Sequence, residues 1–183
     1  MGKKYSQISN EHQIFIKKQK IFFIGTAMRE GRINLSPKGM DSFRVINKHR
    51  IIWLNITGSG NETAAHIASN PRMTVMFTAF EGAPNILRLY GNATAVHKND
   101  KQWSELYSLF TPSIGARQIF DMRVDLVQTS CGFATPLFSY EQERSEMDAW
   151  QKGKNEDDIR EYWLKKNQTS IDGKPTYIKE KNL

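Results

Sequence analysis

The chain has 183 residues, 39% of them hydrophobic and 11% aromatic, enough to bury one core and too apolar for a disordered chain. Its net charge is +7, but the basic residues are scattered and no basic run of about five to eight residues occurs. The excess charge therefore suits an anionic small ligand at least as well as a nucleic acid, and no nucleic-acid partner is expected.

Cys131 is the only cysteine, so no intrachain disulfide forms, and a reducing, cytoplasmic setting is expected with the thiol buried and structural. The four histidines, His12, His49, His66 and His97, lack metal-ligand spacing. Unbroken apolar runs stop at four residues, too short for a helical membrane span. Met1-Gly2-Lys3-Lys4-Tyr5-Ser6 matches a myristoylation pattern, though a loose basic start explains the same residues.

Residues 1–20 read as an arm or short helix docked through Ile8, Ile14, Phe15 and Ile16. Ile21–Ala27 is a core strand by its β-rich apolar content. Arg32–Ser36 alternates Ile33 and Leu35 against Arg32, Asn34 and Ser36, a half-buried strand with a polar face, and Pro37-Lys38-Gly39 breaks it. Ser42–Ile46 and Arg50–Ile56 form a hairpin around residues 47–49. The apolar run Ile51–Leu54 leads into Gly58-Ser59-Gly60, a permissive turn. Ser59 and Glu62 have capping-box spacing, Ala64, Ala65, Ile67 and Ala68 give a helix its apolar face, and Asn70-Pro71 stops it.

Met73–Phe80 is an interior strand, and Ile86–Val96 a long one in which Gly91 marks a bulge or close backbone approach. Helical spacing over Asp100–Phe110 precedes a strand at Met122–Gln128 and a compact turn at Ser130–Pro136. Residues 140–166 read as one or two exposed helices, and 167–183 as a tail with a turn at Ile171-Asp172-Gly173. The organisation expected is an arm (1–20), a barrel domain (21–138) and a helical extension with tail (139–183). Short, regularly spaced strands with peripheral helices favour a mainly β protein, a six- to seven-stranded antiparallel barrel, over a doubly wound parallel sheet.

Three polar sets carry the chemistry. Arg32, Asn34, Ser36 and Lys38 follow one strand and its turn; Asn55, Thr57, Ser59 and Asn61 run from a strand into a helix start; Arg88 is a charge at mid-strand. A strand, glycine turn and helix start place free N–H groups and a positive dipole end together, which suits a phosphate; an ordinary helix cap or a solvated barrel exterior is the plainer alternative. No glycine-rich nucleotide loop and no GxSxG nucleophile motif is present.

The segments FFIGTA, GRINLSPKG, IIWLNITGSGNETAAHIASNPRMTVMF and ILRLYGNATAV together resemble the pyridoxamine 5'-phosphate oxidase-like FMN-binding split barrels over about residues 15–130. The resemblance implies FMN as cofactor in a homodimer with flavin at the subunit interface, and hydride or electron transfer on a small molecule. It implies that Arg32, Ile33, Asn34, Leu35 and Ser36 run along the flavin, with Arg32 reaching the phosphate and Lys38 nearby. Asn55 and Thr57 would contact the ring or ribityl chain, and Ser59 and Asn61 the phosphate. Gly60-Asn61 stands where authentic pyridoxamine phosphate oxidases carry a basic pair, and their C-terminal arginine motif has no counterpart. The resemblance is thus to an uncharacterised branch, for which a non-catalytic flavin, haem-type or stress protein is the other expectation. No general base is assigned, because the flavin itself does the redox work. The segment Arg117–Asp121 and the turn Cys131–Pro136 are the expected contributors from the second chain.

Overall fold

The computed structural model describes residues 2–183; the myristoylation pattern begins on Met1, outside the described residues. Eight strands form one antiparallel sheet, one or two more than the sequence pattern suggests. They are β1 (Lys3–Tyr5), β2 (Phe22–Thr26), β3 (Asn34–Lys38), β4 (Phe43–Asn47), β5 (Arg50–Ile56), β6 (Arg72–Thr78), β7 (Asn85–His97) and β8 (Ala116–Cys131). Their order is β3-β2-β6-β7-β8-β5-β4, with β1 also on β8. β8 has 16 residues; its first half pairs with β5 and its second half with β1. The N-terminal arm is thereby a member of the sheet.

The sheet does not close. Among the described residues β3 and β4 end the order without a ladder between them, although a short link joins them and Ser42 Oγ donates to the Gly39 carbonyl at 2.7 Å. The curl wraps one core, in which Trp53 stacks on Phe120 at 4.9 Å between centroids and Phe22 packs against Phe43 and Phe77. This is the mainly β, split-barrel class expected from the sequence. Gly91 sits at a register shift between β7 and β8. A Cβ there would collide with the Arg123 carbonyl oxygen, so the close approach read from the sequence is present.

Among the described residues six helices pack around the sheet: α1 (Asn10–Lys18), α2 (Glu62–Ser69), α3 (Trp103–Tyr107), α4 (Glu146–Gln151), α5 (Glu156–Lys166) and α6 (Ile178–Asn182). Ile8 and Ile16 dock the arm, whereas Ile14 is exposed. α3 covers the outside of β5 and β8, burying Trp103, Leu106 and Phe110 against Ile52, Leu54 and Ile119. β8 starts six residues before the strand expected at Met122–Gln128, and double coverage explains why no alternation marks that start: Ala116 through Phe120 are all buried.

Two expectations for the C-terminal half are corrected. Cys131 ends β8 and is exposed. Residues 167–183 are no tail: Asn167, Thr176, Ile178 and Asn182 are buried, and a bridge pairs Thr169 with Pro175. α5 and α6 meet through Ile159, Trp163 and Ile178, while polar contacts tie the segment to the barrel. No helix among the described residues is long and apolar enough to cross a membrane.

Candidate functional site

The turn after β5 leads into α2 beside the inner face of β3. These pieces surround a cavity of about 290 Å³ lined by Asn34, Ser36, Lys38, Trp53, Asn55, Ile56, Gly58, Ser59, Gly60, Asn61, Glu62, Thr63 and Arg117. Alternation along β3 sends Asn34, Ser36 and Lys38 inward, and Leu35 outward. Asn34 Nδ2 donates to Thr63 Oγ1 at 3.2 Å and Ser36 Oγ to Asn34 Oδ1 at 3.0 Å, a short polar chain from β3 to the start of α2. On the opposite wall, buried Asn55 Nδ2 donates to Gln118 Oε1 at 3.0 Å.

α2 begins two residues later than capping-box spacing suggests. Its N-cap is Asn61, whose side chain makes no capping bond. Ser59 is exposed, and the Glu62 carboxylate instead accepts from the Ile171 N–H at 3.0 Å. Asn61 is buried with Oδ1 unpartnered, so a buried acceptor and the free N–H groups of a helix start face the same space.

The residue that dominates this space is Arg117. It is buried, with Nη1 donating to the Gly60 carbonyl at 2.9 Å and to Asn167 Oδ1 at 2.8 Å. Nε has no partner, and no carboxylate among the described residues lies within ion-pair distance. Burial pushes the guanidinium down, to about 9. Burial likewise lowers the Lys38 ammonium to about 8, with the Arg117 charge adding to the effect. Two desolvated cations thus share one cavity with a helix N-terminus, an arrangement built to hold an anion.

The cavity brings together Asn34, Ser36, Lys38, Asn55, Ser59 and Asn61. It does not include the other five expected residues. Arg32 is turned to Asp172, whose carboxylate accepts from both the Arg32 backbone N–H and its Nη1. Ile33 is 78% exposed and lines a separate hollow with Arg72 and Tyr90. Leu35 is 67% exposed on the outer face of β3. Thr57 is buried behind the turn, its hydroxyl donating to the Gly115 carbonyl at 2.7 Å and accepting from Trp163 Nε1 at 2.8 Å. Arg88, in β7, donates to Ser130 Oγ at 3.0 Å.

Thr63 was not expected from the sequence, and Arg117 was expected only in a segment reaching the site from a second chain, whereas here it lines its own chain's cavity. Residues 117–120 are interior to their own chain, which removes most of Arg117–Asp121 as a second-chain segment. Asp121 is engaged by Arg50, which donates to it at 2.9 and 2.8 Å. The histidines take no part: Ser9 caps α1 in a reciprocal pair with His12, His66 and His97 are buried in hydrogen bonds, and no group able to hold a metal ion occurs among the described residues.

Comparison with known proteins decides the lineage. The family model described as pyridoxamine 5'-phosphate oxidase matches residues 8–131. The chain belongs to the pyridoxamine 5'-phosphate oxidase family. A pyridoxamine 5'-phosphate oxidase family protein of Aspergillus flavus is 32% identical over 189 residues, covering 93% of this chain and 76% of that protein. Among solved structures, a HupZ variant from Group A Streptococcus aligns with a TM-score of 0.55 at 18% identity, over 67% of this chain and 99% of that one. A pyridoxamine 5'-phosphate oxidase homologue from Lactobacillus delbrueckii aligns at 0.54 and 15% identity, over 67% and 94%. At these identities the two structures speak for the split-barrel fold. The family match ends at Cys131, where β8 ends, so residues 132–183 lie outside it.

Proposed function

We propose that this chain binds FMN, with the phosphate in the cavity between β3 and the start of α2, and acts as a flavin-dependent oxidoreductase on a small organic molecule. The observation that carries the reading is Arg117: a buried guanidinium with an unpartnered Nε and no carboxylate within ion-pair distance among the described residues. A bare buried charge is costly unless something of opposite sign compensates it, and a phosphate monoester would do so beside Lys38 and the α2 N-terminus. Asn34, Ser36 and Asn55 supply the neutral hydrogen-bonding groups that a ribityl chain requires.

The cavity contains no histidine, cysteine, methionine or tyrosine, the side chains that hold haem iron; flavin is therefore favoured over a haem-type group. FMN supplies the redox chemistry when bound, and the chain's part is to bind and orient it. Lys38 also lines a wider groove of about 1060 Å³ between α1, β3 and residues 138–147, room enough for an organic substrate beside the anion site.

The visible spectrum of protein purified without added cofactor, followed by titration with FMN and riboflavin, tests the reading. Flavin absorption and a preference for FMN are expected. Arg117→Met should lower FMN affinity about ten- to a hundredfold, the worth of a hydrogen bond to a charged group, with little effect on riboflavin. Colourless protein that takes up neither flavin would overturn it. Oxidation of bound reduced flavin by a candidate acceptor then separates an enzyme from a carrier.

A further inference from the structure

Residues 155–183, outside the family match, reach back to the lining of the anion cavity through Ile171, Asn182 and, most directly, Asn167. Asn167 closes α5 and is buried. Its Oδ1 accepts from Arg117 Nη1 at 2.8 Å, and its Nδ2 donates to the Gly58 carbonyl at 3.0 Å. One amide therefore grips both the arginine and the turn that precedes α2. Its own carbonyl is held in turn by Thr176 Oγ1 at 2.5 Å and faces Asn61 Nδ2 at 3.5 Å. From α6, Asn182 Nδ2 donates to the Arg117 carbonyl at 2.6 Å. Backbone and side chain of the arginine are thus fixed from the same C-terminal segment, across 65 and 50 residues of sequence.

The pattern of satisfaction is selective. Nη1 has two acceptors, whereas Nε has none. An arginine has five N–H donors in a rigid planar fork, so fixing one edge by neutral acceptors aims the remainder without cancelling the charge. An amide suits this task where a carboxylate would neutralise the guanidinium and compete with an anionic ligand.

We infer that Asn167 is a positioning residue of the anion cavity, and that through it the C-terminal segment is part of the FMN site. The inference rests on the function proposed above. Removing the amide frees the Arg117 fork and the Gly58 turn together, so the loss falls on recognition of the phosphate and not on the flavin as a whole.

The test compares wild type with Asn167→Ala, with Asn167→Ser as the milder variant should alanine prevent folding. Trp163→Phe is the control: it removes a hydrogen bond from the same segment to Thr57, away from the cavity. Dissociation constants for FMN and riboflavin come from flavin fluorescence, and melting temperatures are read without ligand. Asn167→Ala should weaken FMN about tenfold and riboflavin by less than about twofold, while Trp163→Phe lowers melting but keeps the FMN-to-riboflavin ratio. A ratio unchanged in the Asn167 variants, or moved equally by Trp163→Phe, would reduce Asn167 to a structural residue.

Should wild type bind neither flavin, the proposed function falls, and the positioning role is read with inorganic phosphate instead. A phosphate-induced rise in melting temperature that Asn167→Ala abolishes supports the role. A rise that the variant keeps, or no rise in wild type, overturns it.

Discussion

Lys38 Nζ stands 5.2 Å from the centroid of the Trp53 ring, on an aromatic face with no carboxylate in ion-pair contact among the described residues. Burial, then the Arg117 charge, lowers this lysine to about 8. Between that value and its ordinary 10.5 the unfolded chain holds more protons than the folded one, so stability without ligand rises with pH across this window. Binding of a phosphate runs the other way, because it needs the charged ammonium. FMN affinity should be flat from about pH 6, where the phosphate becomes a dianion, to pH 8, and fall above. Calorimetric titration across pH 6–10 checks this. Lys38→Met should remove the fall that begins near pH 8 and leave only the Arg117 limb above about 9, and a fall still beginning near pH 8 in that variant would assign it to another group.

Arg32 and Asp172 make the next prediction, and it departs from the family resemblance. The Arg32 backbone N–H, then its guanidinium, hold the Asp172 carboxyl below the usual range. This pair clamps the turn of the C-terminal segment to the start of β3. A depressed carboxylate stabilises above its unfolded value and loses that contribution as pH falls through its folded one. Asp172→Asn should therefore lower the melting temperature modestly at neutral pH and converge with wild type in acid. Arg32→Ala keeps the backbone N–H contact and should cost less, and the double variant should be no worse than Asp172→Asn alone. Neither should change the FMN-to-riboflavin preference; a marked drop for Arg32→Ala alone would return Arg32 to the phosphate.

The strand–turn–helix around residues 51–71 was legible because its signals are local: an apolar run, two glycines and a stop at Asn70-Pro71. What escaped was polar burial. Asn167, Thr176 and Asn182 are held inside by hydrogen bonds, and hydrophobic periodicity is blind to a side chain buried that way. The polar composition of 167–183 accordingly read as a solvated tail. Arg117, expected only in a second-chain segment, was misassigned for a related reason. It opens a strand covered on both faces, where alternation fails, and a single arginine there carries no sign that its charge is enclosed. The sequence also cannot say which way a strand's side chains point once a bulge intervenes. Thr57 lies two residues beyond Asn55, past the register shift between Asn55 and Ile56, and it faces Trp163, not the cavity.

Gly91 offers a test of the barrel itself. Any side chain there meets backbone, the carbonyl of Arg123, which cannot rotate away. Gly91→Ala should cost about 3 kcal/mol or more, a fall in melting temperature of roughly 6–12 °C for a chain of this size. Gly58→Ala is the comparison: a Cβ on Gly58 would meet nothing within 4 Å, so its change should stay near zero. Equal melting of both variants would mean that β7 and β8 shift register at little cost.

The last prediction is that the cofactor site is completed by a second copy of the chain. The anion cavity of one protomer holds about 290 Å³, just below the range of about 300–1,000 Å³ for small-molecule pockets, and the wider groove beyond Lys38 is left to the substrate in the function proposed above. The cavity is space for a phosphate and part of a ribityl chain, and it leaves a flavin ring outside. The same protomer exposes large apolar side chains after β8: Phe133 at 82%, Leu137 at 75% and Phe138 at 60%. Lone exposed hydrophobics are ordinary, but a cluster along one segment marks a contact surface. A two-fold pairing buries one self-complementary patch and forms two equivalent clefts. Light scattering should therefore give a dimer at micromolar concentration, tightened by FMN through linkage. Phe133→Asp with Leu137→Asp should yield a folded monomer that binds FMN far more weakly than the dimer. A monomer that keeps stoichiometric FMN at high dilution would show that one chain suffices, and the exposed apolar segment would then need another occupant.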